Sequence, residues 1–336
     1  MIANSKGLNR KFLFLFGCLL VLLLLPPVSQ ALDESYLISP MTRILIFAMA
    51  AISLDLIVGY GAMVSFGHAA FVGLGAYVAA ILSFHLADGS GLFGLSIAFQ
   101  GTDQLIPILL IAMVLAAIVA LLTGMICLRT RGINFIMITL AFAQMLYFFF
   151  ISLDYYGGED GLLMLGRNQV PMIDTANDSS FYYLCLFFLV AFVVFGRRLV
   201  DSHFGRVLQG CKHNEQRMRA LGFNTYWYRL TAYVIAAMGA AVAGALLANK
   251  TEYVDPGLFS WQLSGELLVM IILGGLGSIY GAVIGAIVYL LLEQILSAYT
   301  EHWMIFLGPV LIIVVIFARQ GIYGMLQERW FRACDE

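Results

Sequence analysis

Few residues in this chain are of types that do chemistry, and most of those stand out against apolar surroundings. Asp55 falls within Ile-Ser-Leu-Asp-Leu-Ile-Val and reads as mid-span. Glu293 lies near the end of another apolar run and Glu266 starts a third. A charge at the centre of a bilayer costs at least about 2.5 kcal/mol, so such a group faces a bundle interior, is protonated, or finds a partner. Two readings of Asp55 stand: a role in transport, or capping of broken backbone and pairing between helices. His68, in a glycine-rich break, carries the same choice between function and structure. Chemistry that needs grouped residues has no signature. The five cysteines, Cys18, Cys127, Cys185, Cys211 and Cys334, are scattered without a Cys-x-x-Cys pair. They read as small buried apolar residues rather than disulfides or zinc ligands. No nucleophile elbow, metal spacing or cofactor motif occurs, so no catalytic residue and no metal ligand are assigned. No lysine follows a glycine, which excludes a phosphate-binding P-loop in the sequence.

Two glycine-broken stretches surround the polar groups. The first runs from Gly59 through Ser65, Gly67 and His68 to Gly75; the second contains Gly274, Gly275, Gly277, Gly281 and Gly285. Glycine lets helices approach closely or unwind. Unwound backbone in a membrane is tolerated only against protein or a watery cavity. A Gly-interrupted pair in two halves of a chain is a pointer to a transport pathway. Asp55, Ser65, Gly67, His68, Gly274, Gly275 and Gly277 are therefore the candidate pathway residues, with tight helix packing as the alternative.

A third feature lies in the sizeable hydrophilic loop 197–228. Asn214 is a good N-cap, Glu215 suits a helix start, Arg219 suits its end, and Gly222 suits the residue after the last turn. The intervening helix is about two turns, too short to be stable alone. Met218 and Leu221 share one face, and Phe223 can join them. A short capped helix with an apolar stripe is expected to dock into a partner; a basic loop resting on anionic lipid explains the arginines but not the caps.

The elements that position these groups follow from composition. Of 336 residues, 62% are hydrophobic and 11% charged, against roughly a quarter charged in ordinary soluble domains. So little charge cannot solvate the exterior of a soluble protein, and the unbroken apolar runs exclude a β-barrel. Spans of ~20 residues are expected at 12–29, 42–62, 64–86, 105–127, 132–153, 181–197, 229–249, 265–278, 281–297 and 303–319. The expected fold is an all-α polytopic bundle of about ten membrane helices, eight if both broken pairs are re-entrant. The net charge of −2 gives no sign of nucleic-acid binding.

Orientation follows from Lys and Arg. With both termini in the cytoplasm, only Arg43, Arg167 and Lys250 of the 18 basic residues fall on outer segments. Residues 1–40 read as a retained helix or a secretory signal with a short outer link. Residues 41–320 form the transmembrane domain, with the inner loop 197–228 inside it and a cytoplasmic tail at 321–336.

The segment 59–77, Gly-Tyr-Gly-Ala-Met-Val-Ser-Phe-Gly-His-Ala-Ala-Phe-Val-Gly-Leu-Gly-Ala-Tyr, resembles the signature of LivM-type permeases, the membrane subunits of branched-chain amino-acid ABC importers. The loop His213–Phe223, followed by Tyr228-Arg229-Leu230 and the alanine-rich 236–248, is similar to that family's ATPase-coupling segment. Tyr253-Val-Asp-Pro-Gly-Leu-Phe-Ser, Leu-Gly-Gly-Leu-Gly-Ser at 273–278 and the ending Phe317-Ala-Arg-Gln-Gly-Ile-Tyr-Gly match as well. The resemblance covers about 41–324. The coupling segment is a loose version of the Glu-Ala-Ala loop of other importers: Glu215 and Gly222 are present, with Ala220 the sole nearby alanine.

The resemblance implies a permease subunit of the bacterial inner membrane. It implies a second related permease, two cytoplasmic ATPase subunits and a periplasmic binding protein as partners besides the lipid bilayer. It implies no cofactor on this chain, ATP and Mg being held by the ATPases, and no enzyme activity of its own. Asn214, Glu215, Arg217, Met218, Ala220, Leu221 and Gly222 become the coupling helix, and the acidic outer loop 154–180 either docks the binding protein or is a solvated loop. Branched-chain amino acids are the expected substrate; relatives carry urea, short amides or other amino acids. Ser65, His68, Asn134, Thr139 and Gln144 are sources of pathway polarity. An ion-coupled secondary transporter using Asp55 is the reading from a different class, and a membrane enzyme has no supporting motif.

Overall fold

A computed structural model describes residues 17, 20–30, 35–88, 101–171, 173–300, 302, 305–309, 311–312 and 321–325. The apolar runs fold into helices: α1 (Leu20–Gln30), α2 (Ile38–Val58), α3 (Ala69–Asp88), α4 (Leu105–Cys127), α5 (Ile133–Ile151) and α6 (Asp178–Asp201). Beyond them come α7 (His203–His213), α8 (Glu215–Ala220), α9 (Thr225–Thr251), α10 (Trp261–Gly274) and α11 (Ile279–Tyr299). Among the described residues seven helices are long and apolar enough to cross a membrane, namely α2–α6, α9 and α11. The expected eighth span is α10, at 14 residues too short to cross alone. Of the expected first span only the α1 portion and residue 17 are described. The expected tenth span, 303–319, lies mostly outside the described residues, as do the start of the chain and residues 326–336.

Helix α9 is the centre of the bundle and packs on α2, α3 and α4. Its alanines Ala236, Ala237, Ala240, Ala241, Ala243 and Ala245 are all at most 1% exposed. Small residues let backbones approach where lipid offers no hydrophobic drive for association. The α3–α9 crossing takes this to its limit. A Cβ on Gly75 would strike the Ala241 carbonyl, and one on Gly244 would strike that of Val72.

Helix α4 shows why hydropathy alone could not assign faces, since it is apolar all round. Its small residues Ala112, Ala116 and Ala120 turn inward, while Leu110, Val114, Ile118 and Leu122 are exposed on the other side. The packed side is the one that allows close approach.

Two expectations need correction. The break between α2 and α3 covers ten residues, 59–68, within the expected stretch Gly59–Gly75, so α2 ends at Val58 rather than 62 and α3 starts at Ala69 rather than 64. Gly59, Gly61 and Gly67 lie in it and Ala62 takes a positive φ of 52°, so the chain leaves helical geometry beyond Gly59, whose own dihedrals are still helical. Asp55 consequently sits in the last turn of α2, not mid-span. The inner loop also holds more structure than one short helix. Helix α6 continues to Asp201, and α7 follows under an N-cap in which Ser202 Oγ accepts from Gly205 N at 3.3 Å. Its Val207, Leu208 and Cys211 are buried against the bundle. Cys127, Cys185 and Cys211 are all free and buried, whereas Cys18 and Cys334 lie outside the described residues.

Candidate functional site: a capped helix beside the meeting of two helix breaks

At one end of the bundle α8 stands between α7 and α9. Asn214 Oδ1 accepts from Arg217 N at 2.9 Å, closing its first turn. Gly222 ends it at φ +89°. Phe223 N reaches Met218 O at 3.1 Å and Gly222 N reaches Arg219 O at 2.9 Å, the two bonds of a Schellman stop.

Glu215 holds this helix to the bundle. One oxygen takes Arg131 Nη2 at 2.9 Å and Arg219 Nη2 at 2.7 Å; the other takes Arg229 Nη1 at 3.2 Å. The Thr225 hydroxyl donates to it at 3.1 Å. Burial works to raise this carboxyl, but Arg229, Thr225, Arg131 and Arg219 overcome that and hold it below the usual glutamate range. Arg131 comes from the α4–α5 turn and Arg229 from α9, so one carboxylate ties α8 to two other parts of the fold. Sequence reading placed Glu215 for its helix-start position and missed Arg131, Thr225 and Arg229 as its partners; residue types 84 and 14 positions away give no local signal.

The exposed face of α8 differs from the expected stripe. Met218 turns inward onto α7: a Cβ on Gly210 would sit 2.7 Å from its Sδ. Leu221 is 66% exposed and Trp227 55%, with Phe223, Arg217 and Ala220 also exposed. The free surface is therefore Arg217, Ala220 and Leu221, continued by Phe223 and Trp227.

The two glycine-broken stretches meet just beneath. Asp55 Oδ1 accepts from Gly277 N at 2.9 Å. A Cβ on Gly59 would collide with Gly277 backbone and with Asp55. Gly277 itself needs φ +78° and Gly275 φ +118°. Asp55 thus caps the second break from the last turn before the first. The second break is also closed on itself, since a Cβ on Gly274 would strike Gly281 backbone.

Ser65, Gly67 and His68 lie further along the first break, enclosed by α2, α5 and α10. Ser65 Oγ accepts from Gly67 N at 3.2 Å. Gly67 abuts the backbone of Thr139. His68 has no exposed surface. Ser53 Oγ lies 2.7 Å from Ala50 O and 2.8 Å from His68 Nε2. Ser53 has one hydroxyl proton and gives it to Ala50, so the network assigns the ring proton to Nε2. Nδ1 is left as a buried acceptor without a partner among the described residues. Thr139 is buried on α5, Gln144 is partly buried, and Asn134 is exposed near the α8 end.

The far end carries a second set of charged groups. Arg167 pairs with Asp178, and its Nε lies 3.4 Å from Glu252 Oε1. Its guanidinium carbon sits 5.0 Å over the Phe181 ring. Arg43 Nη1 meets Glu293 Oε1 at 3.1 Å, with Glu266 within electrostatic reach of both. A short antiparallel pair, β1 (Leu162–Leu163) with β2 (Tyr253–Val254), ties the 154–180 loop to the end of α9. A cavity of about 500 Å³ opens there, lined by Asp103, Arg167, Gln169, Asp174 and Thr175 among others.

A multi-pass helical bundle with paired helix breaks and a capped, laterally anchored helix at one end is the setting in which sequence relatives become informative. Residues 36–315 match the family model for the permease component of branched-chain amino acid transport systems. The chain belongs to this family. It is 25% identical to the high-affinity branched-chain amino acid permease protein LivM of Escherichia coli over 312 residues, 86% of this chain and 70% of the relative. A probable LivM of Methanocaldococcus jannaschii is 23% identical over 288 residues, 78% of this chain and 82% of that one. Over 125 residues, 37% of this chain and 40% of the relative, the chain is 33% identical to LivH of Escherichia coli, also a branched-chain amino acid permease protein. Comparison with solved structures gives no significant match. The chain is thus a permease subunit of an ABC importer for branched-chain amino acids, a multi-pass membrane protein whose work is transport.

Proposed function

We propose that this permease works in the inner membrane with a second, related permease, two cytoplasmic ATPase subunits and a periplasmic binding protein, and that α8 is its ATPase-docking helix. The observation that carries this is the construction of α8: capped at both ends, anchored through Glu215 to the α4–α5 turn and α9, and presenting Arg217, Leu221 and Phe223 outward. An anchored helix transmits force to the bundle, while an exposed apolar patch beside arginines offers a surface to a soluble partner. Orientation with α8 and both termini in the cytoplasm accords with the Lys and Arg distribution. ATP and Mg are held by the partners, and this chain contributes no catalytic residue. Asp55, Ser65, Gly67, His68, Gly274, Gly275 and Gly277 serve the pathway by shaping the two breaks that end at its inner side, rather than by lining a site in the isolated chain.

The test is affinity purification from native membranes followed by reconstitution. Two P-loop ATPases and a second polytopic permease are expected to co-elute, and the complex with its binding protein is expected to import labelled leucine only with ATP. Urea, short amides and other amino acids as competitors define the substrate range. A partner-free protein that moves leucine on an ion gradient, with loss in Asp55→Asn, overturns the proposal in favour of a secondary transporter. Within the active complex, Arg217→Glu with Leu221→Asp is expected to uncouple hydrolysis from uptake. Met218 is unsuitable for that purpose because it holds α8 to α7.

A further inference from the structure

Lys212 occupies a position that neither its loop nor its charge explains. Its Nζ donates to the carbonyl of Gly59 at 2.6 Å, across 153 residues of chain. Gly59 is the first residue beyond α2 and the one that touches Gly277, so Lys212 reaches the point where the two helix breaks meet. At its other end Lys212 lies two residues before Asn214, the N-cap of α8. Helices α7 and α8 form one unit, locked by Met218 against Gly210 and by the bond from Asn214 N to Gly210 O at 2.9 Å. A displacement of α8 therefore pulls on Lys212, and Lys212 pulls on the end of α2.

We propose that Lys212 is the positioning residue that carries motion of the docking helix to the junction of the two broken helices, by releasing and retaking the Gly59 carbonyl during the transport cycle. A lysine suits such a role, because three donors on a flexible four-carbon stem follow a moving acceptor without a fixed geometry. The site supplies an alternative acceptor. Asp55 Oδ2 is buried and, among the described residues, makes no close hydrogen bond, and Asp55 lies within electrostatic reach of Lys212. A lysine released from Gly59 thus has a carboxyl oxygen nearby as a second acceptor. Asp55 Oδ1 meanwhile keeps Gly277 N, so both breaks respond to the same residue. The inference rests on the proposed docking role of α8.

The experiment measures leucine imported per ATP hydrolysed in the reconstituted complete transporter carrying Lys212→Arg, Lys212→Gln or Lys212→Met, with hydrolysis rate and thermal midpoint recorded for each. The arginine variant is expected within about twofold of the parent, the glutamine variant several-fold lower and the methionine variant about tenfold lower, the range typical of residues that carry coupling. Hydrolysis rate and midpoint are expected to stay near the parent values. Should the methionine variant fail to assemble, the arginine and glutamine variants decide between charge-following and simple hydrogen bonding. Equal uptake per ATP in all variants overturns the proposal. So does a loss of uptake that only tracks loss of hydrolysis and thermal stability, which marks Lys212 as a structural strut. A parent complex that hydrolyses ATP without importing leucine overturns the functional reading itself, and the role of Lys212 with it.

Discussion

The two ends of the bundle are built on inverse charge plans. At the α8 end one carboxylate, Glu215, is held by Arg131, Arg219 and Arg229. At the far end one guanidinium, Arg167, is held by Asp178 and Glu252. The α8 end thus gathers arginines around a carboxylate, and the far end gathers carboxylates around an arginine. The networks also differ in solvation. Glu215 and its partner Arg229 are 13% and 15% exposed, whereas Asp178 and Glu252 are 55% and 47% exposed. Carboxylates that keep half their water lose little when their partner leaves, while a nearly enclosed guanidinium does not.

That difference ranks the expected effects of breaking each network. Glu215→Ala leaves Arg229 enclosed without its acceptor and is expected to cost about 3 kcal/mol, with loss of coupled uptake. Thermal unfolding of the purified complex, read beside ATP-driven uptake, checks it, and an unchanged midpoint with normal uptake would remove Glu215 as the anchor. Arg167→Ala is expected to cost about 1–2 kcal/mol, from the stacking on Phe181 and partly solvated pairs. Its midpoint is expected to move less than that of Glu215→Ala, and the reverse order would contradict the comparison.

Acid separates the two ends further. The Glu215 carboxyl titrates below its ordinary value in the folded protein, so its contribution is in force above the unfolded pKa near 4.5 and is lost as pH falls through the lower folded value. Hydrogen exchange across 214–223 is expected to stay slow as pH approaches 4.5 and to accelerate below it, after correction for intrinsic rates. Glu215→Gln is expected to abolish that dependence. The smallest effect belongs to Gly222→Ala, about 1 kcal/mol for a side chain at φ +89°. It should appear as fraying of the last turn of α8 by hydrogen exchange, with global stability unchanged.

What could be read from the sequence was what depends on neighbours in the chain. The apolar runs 105–127 and 132–153 became α4 and α5 because length and hydropathy alone decide a membrane helix. The α8 boundaries were readable because Asn214 and Gly222 act on backbone within a few residues. Helix α7 went unread: its Val207, Leu208 and Cys211 are too few to stand out in a polar loop, and it forms by burying them on the bundle. Contacts joining distant residues were equally hidden. Lys212 on Gly59 and Asp55 on Gly277 span 153 and 222 positions, and nothing local announces either. Met218 misled for the opposite reason, since helical spacing placed it with Leu221 while Gly210, eight residues earlier, left room for it on α7.

The docking of α8 onto an ATPase is most directly tested by photo-crosslinking in the complex purified from native membranes, with the same photoreactive amino acid placed at position 221 or at position 165. Both positions are exposed, at 66% and 86%, and they lie at opposite ends of the bundle. Position 221 is expected to capture an ATPase subunit, with a yield that changes on nucleotide addition, while position 165 captures none. Adducts from position 221 only to lipid in a complex that contains the ATPase, or equal ATPase capture from position 165, would contradict the account.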